Sequence, residues 1–262
     1  MLKQRILDYD ELHSLDRDYL AQVIASNPVE EVLGTLAELL ATRDRETVLS
    51  ACAVIRDLGI LKYPAAEFQT HFRKTLPQSP ARDELEQCLY RDEDSSIRSS
   101  TIYTLGKLVI DDFESILRDS WSYYYANDPL NIHRLLFEIS MYGGEIFSLA
   151  EKLTLHSDYL FRWAGLEALA STRLREEASI IKLYERLMRD PRDKIRVLAT
   201  HDARRLEAEA RGQPFPPGDH ALSFSNFEVY VGNSMHMEER ANSSLPELRE
   251  YAERFFATEN SE

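Results

Sequence analysis

One short pattern recurs along the chain and constrains the fold more than any other feature. An aspartate leads within four residues to an apolar residue and an arginine, in Asp94-Ser95-Ser96-Ile97-Arg98, Asp158-Tyr159-Leu160-Phe161-Arg162 and Asp193-Lys194-Ile195-Arg196. Three and four places after each arginine stand Thr101 and Ile102, Gly165 and Leu166, or Ala199 and Thr200, and seven places after it stands Leu105, Leu169 or Ala203. Asn131-Ile132-His133, with Leu136 and Phe137 in the same two places, is a degenerate copy. The column Arg98, His133, Arg162, Arg196 has separations of 35, 29 and 34 residues. A weaker, earlier copy aligns Val54, Ile55, Leu58 and Gly59 with Thr101, Ile102, Leu105 and Gly106. A unit repeated at this period stacks on its neighbours to bury a continuous core.

The intervening sequence is helical in character. Leu12, Leu15, Tyr19, Leu20, Val23 and Ile24 form one apolar stripe, and Val32, Leu33, Leu36, Leu39 and Leu40 form another. Spacings of three and four favour helix over strand. Four capping residues precede proline, in Asn27-Pro28, Ser79-Pro80, Asp128-Pro129 and Asp190-Pro191. Each reads as an N-cap with proline at the first helical position, where its missing N–H costs nothing. Glu30 stands where a capping box after Asn27 wants it, and Asp193 suits the positive end of a helix dipole. Gly143-Gly144 reads as a helix stop.

The character changes after Arg211. Gly212-Gln213-Pro214-Phe215-Pro216-Pro217-Gly218 cannot be helix. Leu222, Phe224, Phe227, Val229 and Val231 suggest an extended segment over 221–231 that covers an end of the stack. A final helix is expected from Leu245 to Phe256. The chain therefore divides into a repeat domain, 1–211, and a C-terminal extension, 212–262.

The pattern in Asp94-Ser95-Ser96-Ile97-Arg98 through Leu105-Gly106 resembles the second helix of a HEAT repeat. It is similar to the variant found in phycobilisome-lyase-like proteins, and the likeness covers roughly residues 28–211. That resemblance implies an all-α fold, an α-solenoid of antiparallel helix pairs with a partly extended C-terminal segment. It implies a curved stack whose second helices line the concave face. The leading functional expectation is a protein-interaction scaffold or adaptor that holds a partner there. A bilin lyase or chaperone is one alternative, and a HEAT-like DNA glycosylase is another.

Composition narrows these classes. The chain has 262 residues, 45 acidic and 31 basic, for a net charge of −14. That balance argues against a nucleic-acid partner, which needs a basic footprint to displace counterions. It also argues against anionic lipid, and it fits a protein or peptide partner of basic character. Two cysteines, Cys52 and Cys88, are no disulfide scaffold and point to a reducing compartment. The charged stretch Met1 to Ser14 lacks a secretory h-region, and no run reaches membrane-spanning length. The expected location is the cytoplasm, with no membrane partner.

No catalytic signature stands out: there is no phosphate loop, no nucleophile elbow and no His-Glu-x-x-His. The seven histidines have no metal-ligand spacing, so neither metal nor cofactor is expected. Arg98, Arg162 and Arg196 are read as a structural ladder to loop acids such as Asp92 or Asp94, Asp158, and Asp190 or Asp193. Counting from the arginine column, positions +1 and +5 lie four residues apart and share a helix face. They hold Ser99 and Tyr103, Arg134 and Glu138, Trp163 and Glu167, Val197 and His201. Tyr103, Arg134 and Trp163 are the expected anchors for the partner, with Glu138, Glu167 and His201 beside them. In Ser120-Trp121-Ser122-Tyr123-Tyr124-Tyr125, three consecutive tyrosines point about 100° apart, so at least one should be exposed or sit at a contact.

Overall fold

The computed structural model describes residues 2–9, 14–42, 44–60, 65–91, 94–129, 131–142, 146–171 and 179–214. They are all-helical, with no strand among them. The expected extended segment at 221–231, the final helix Leu245 to Phe256 and Gly143-Gly144 lie outside the described residues. Contacts divide the chain into two compact units, Met1–Ser120 and Trp121–Glu262, with the boundary inside one helix, α8 (Asp111–Asn127).

The first unit contains α1 (Leu2–Leu7), α2 (Ser14–Ile24), α3 (Val29–Ala41), α4 (Arg45–Ile60), α5 (Ala66–Thr75), α6 (Pro80–Cys88) and α7 (Ser95–Leu108). Helices α3 and α4 pack together across the short connection 42–44, and α6 and α7 across 89–94. The first helices of these pairs then pack on each other, α3 on α6, and so do the second helices, α4 on α7. The core is the apolar stripe of each helix: Val32, Leu33, Leu36 and Leu40 on α3, Val54, Ile55 and Leu58 on α4, Ile97, Ile102 and Leu105 on α7. Gly59 lies against α7, where a Cβ would run into the Leu108 side chain.

The second unit contains α9 (Ile132–Ser140), α10 (Phe147–Thr154), α11 (Tyr159–Ser171), α12 (Ile180–Leu187) and α13 (Asp193–Ala210). The same scheme recurs. Helix α10 packs on α11 and α12 on α13, while α10 meets α12 and α11 meets both α9 and α13. Gly165 lets α11 approach α10, because its Cβ would stand 3.0 Å from the Cβ of Leu153. Helix α13 ends at Ala210, and the left-handed Gly212 turns the chain away beyond it.

The proline-linked caps behave less uniformly than their sequences suggest. Pro80 opens α6 as expected, but the Ser79 hydroxyl donates backwards to Leu76 O at 2.8 Å. Asn27 is no N-cap: its amide donates to Val23 O and Ile24 O, closing α2. Glu30 accepts from its own backbone N–H and from His71, which hold its carboxyl below the usual range, so no capping box forms. Asp128 accepts from the Asn131 N–H at 3.2 Å and shapes the turn before α9. The best cap has no proline: Asp94 accepts from the N–H groups of Ser96 and Ile97 at 2.8 and 3.2 Å, satisfying free donors at the start of α7.

Candidate functional site

The arginine column is a set of backbone clamps. Arg98 donates to Arg91 O at 2.5 Å, Arg162 to His156 O and Ser157 O at 2.9 and 2.8 Å, and Arg196 to Asp190 O and Pro191 O at 2.7 and 3.1 Å. Each guanidinium thus reaches back to the carbonyls of the connection that precedes its own helix. These carbonyls cannot be satisfied within a helix, which is why a multi-donor planar cation recurs at this place.

The acids of the ladder divide into different roles. Asp94 caps α7 and is approached by Arg45 Nε at 3.4 Å, from the start of α4. Asp158 accepts from the Leu160 N–H at 3.0 Å. Asp193 pairs with Arg196 within α13. The link between successive helix pairs in the second unit is made by Asp190, whose two oxygens take Nε and Nη2 of Arg162 at 2.6 and 3.1 Å. Asp190 is buried, so this bidentate pair is the strongest fastening in the column.

The strip of anchors expected from the sequence does not survive intact. Trp163 is 1% exposed and belongs to the core, and Glu138 is buried to the same degree. Arg134, Glu167 and His201 are half-buried on α9, α11 and α13 of the second unit, with His201 Nδ1 3.4 Å from Asp202. Tyr103 is half-buried on α7 of the first unit.

Helix geometry explains the error for Trp163. At about 100° per residue, positions −1, +3, +4 and +7 centre on the core, +5 points nearly opposite, and +1 points sideways toward the next helix of the stack. The first unit shows this directly. The +1 residue of α4 is Cys52: its Sγ lies 3.8 Å from Thr101 Oγ1 of α7, and its carbonyl accepts from Thr104. Burial pushes its thiol up to about 11, and that of Cys88 up to about 12. At Cys52 and Trp163 the +1 position is therefore buried, whereas Val197 at +1 of α13 is 64% exposed and Glu138 at +5 of α9 is buried, so neither column has one environment throughout.

The tyrosine run is also resolved by packing. Tyr124 is buried, while Tyr123 and Tyr125 are half-buried. Tyr125 lies against Trp121, His156 and Phe161 with ring centroids 6.0, 4.9 and 6.2 Å away. The three rings do not share one core, as expected of consecutive positions, and Tyr125 sits in contact with an aromatic cluster of the second unit.

What remains on the +5 column is a cluster that the sequence reading only half named. The Arg56 guanidinium of α4 lies 5.3 Å from the centroid of the Tyr103 ring, and the Lys107 ammonium of α7 lies 5.2 Å from it. Such stacking is worth about 0.5–1 kcal/mol where it is solvated. Arg56 uses its Nε on Asp57 at 2.9 Å, and Asp57 also accepts from the Tyr9 hydroxyl at 3.0 Å, so the guanidinium is held at a fixed angle. Arg56 had a legible signal: it stands at +5 in the weak early copy of the repeat. Lys107 had none beyond lying four residues after Tyr103.

No protein-family model matches this sequence, and no curated protein matches it either. No described helix is long and apolar enough to cross a membrane, and no group of side chains among the described residues has the makings of a metal site.

Proposed function

We propose that the chain is a protein-interaction scaffold, built as an α-solenoid of antiparallel HEAT-like helix pairs and working in the cytoplasm. The packing of first helix on first and second on second, found in both units, supports the solenoid. The recurring arginine clamps support a common ancestry for the repeats. The binding role rests on one observation: the half-buried Tyr103 has a cation from each of two helices over its ring. An aromatic ring set among held cations is the composition of a contact hot spot.

The test is affinity capture from the native cell with the full chain and with Tyr103→Ala, analysed by mass spectrometry. A partner enriched on the natural chain and lost on the variant, with Glu38→Ala on α3 as the unaffected control, is the expected result. Identical captures on all three proteins would refute a binding role for this face. The bilin-lyase and glycosylase readings rest on the resemblance alone, and no geometry of the site adds to them.

A further inference from the structure

Acids and bases stand on both layers of the first unit, with Glu46 exposed at the start of α4 and Arg82 half-buried on α6, but both charges over the Tyr103 ring are positive. Glu30, Glu31 and Glu38 on α3 and Asp83 on α6 are exposed on the first-helix side. The second-helix side carries Arg56 and Lys107 around Tyr103. In a chain with a net charge of −14, the half-buried Tyr103 ring is thus bordered by two cations, of which Arg56 is held by Asp57.

Apolar surface lies next to these cations. Ile60 is one helical turn beyond Arg56 on α4, and Val109 follows the end of α7 just beyond Lys107; they are 43% and 44% exposed. They follow Gly59 and Leu108, which lie against each other, and Arg73 ties the two helix ends together by donating to Gly59 O at 3.1 Å and Val109 O at 3.4 Å. Val109 also has a φ of 47°, in the left-handed region that β-branched residues avoid and glycine accepts. An exposed valine held at a glycine position is a cost that folding alone does not explain.

Resting on the scaffold reading, we propose that the α4–α7 face of the first unit docks an acidic peptide segment bearing apolar side chains. Its carboxylates meet Arg56 and Lys107, and its apolar residues cover Ile60 and Val109. Arg56 is held for this by Asp57 at its Nε and by the Tyr103 ring under its guanidinium, and a partner carboxylate would meet its Nη edge. The partner's acidity is the reverse of what the chain's net charge suggests, because the local field at the face, and not the total, selects the ligand.

The experiment is selection of a random-peptide display library on the full-length chain, followed by fluorescence anisotropy of individual labelled peptides. The expected winners are rich in Asp and Glu with interspersed Leu, Ile or Phe. Their affinity falls at least about tenfold with Lys107→Glu and with Arg56→Ala, and it falls with added salt, as contacts between opposite charges do. Glu38→Lys on the opposite layer leaves affinity unchanged, and circular dichroism melting confirms that each variant folds. Winners that are basic or neutral overturn the acidic partner but leave a scaffold standing. Acidic winners that bind Lys107→Glu as tightly as the natural chain place the contact elsewhere and also overturn it. A library that yields no enriched peptide counts against both the inference and the scaffold.

Discussion

Helices α7 and α11 make an instructive pair. Their sequences align at the aspartate cap, the arginine and the core positions, yet their aromatic residues have opposite fates. Tyr103 on α7 is half-buried under two cations, while Trp163 on α11 is 1% exposed. The two residues sit at +5 and +1 of the repeat, about 40° apart around the helix. In an isolated amphipathic helix that difference is small, and both positions belong to the polar face. Among packed helices a neighbour fills the +1 direction at Trp163 and leaves +5 partly open at Tyr103, while Val197 at +1 of α13 is 64% exposed and Glu138 at +5 of α9 is buried, so burial follows each helix's own neighbours. A stacked helix therefore has a wider buried arc than its hydrophobic pattern announces.

The sharpest way to break this comparison is Trp163→Ala. Removal of a large, fully buried side chain should cost about 3–5 kcal/mol and lower the melting temperature steeply. A variant that melts like the natural protein would return Trp163 to the surface.

Arg162→Ala comes next. It strips the buried Asp190 carboxylate of its bidentate partner and should cost about 3 kcal/mol by chemical denaturation. The equivalent change in the first unit, Arg45→Ala, should cost much less, because Arg45 approaches Asp94 at 3.4 Å and Asp94 keeps its two backbone donors. Equal losses would show that the two units are fastened alike.

Cys52 tests the +1 column in a second helix. With its thiol pushed up to about 11, only about one molecule in a thousand carries the thiolate at about pH 8, so reaction with a disulfide reagent should be at least about a hundredfold slower than in the unfolded chain. The sign for stability follows. The thiol titrates higher folded than unfolded, so its contribution is whole below about pH 8.5 and is lost as the pH climbs toward 11. Rapid labelling of Cys52 in the native state would open the +1 column.

The smallest effect belongs to Tyr103. Its ring is half-buried and Arg56 above it is already held by Asp57, so Tyr103→Ala should change stability by no more than about 2 kcal/mol while abolishing peptide binding to the α4–α7 face. A large drop in melting temperature would make Tyr103 the counterpart of Trp163 and erase the distinction.

Much of the helical scaffold was legible because its causes are local. Apolar spacing of three and four marks a helix wherever it occurs, and Asp94 caps α7 with donors only two and three residues away. The core columns at +3, +4 and +7 were legible for the same reason. The proline-linked caps were less so, since a short polar side chain such as Asn27 or Ser79 can serve the helix behind it as well as the one ahead.

The sequence alone determined that the described residues are helical and which stripe of most helices turns inward. Those properties depend on backbone hydrogen bonding and side-chain periodicity within a few residues. Only the tertiary structure decided which flank of each helix a neighbour would cover. It alone brought Arg56 over the Tyr103 ring from another helix and tied the ends of α4 and α7 together through Arg73. Contacts between residues some fifty positions apart are fixed by how helices pack, and no periodicity within one helix encodes its neighbour's direction.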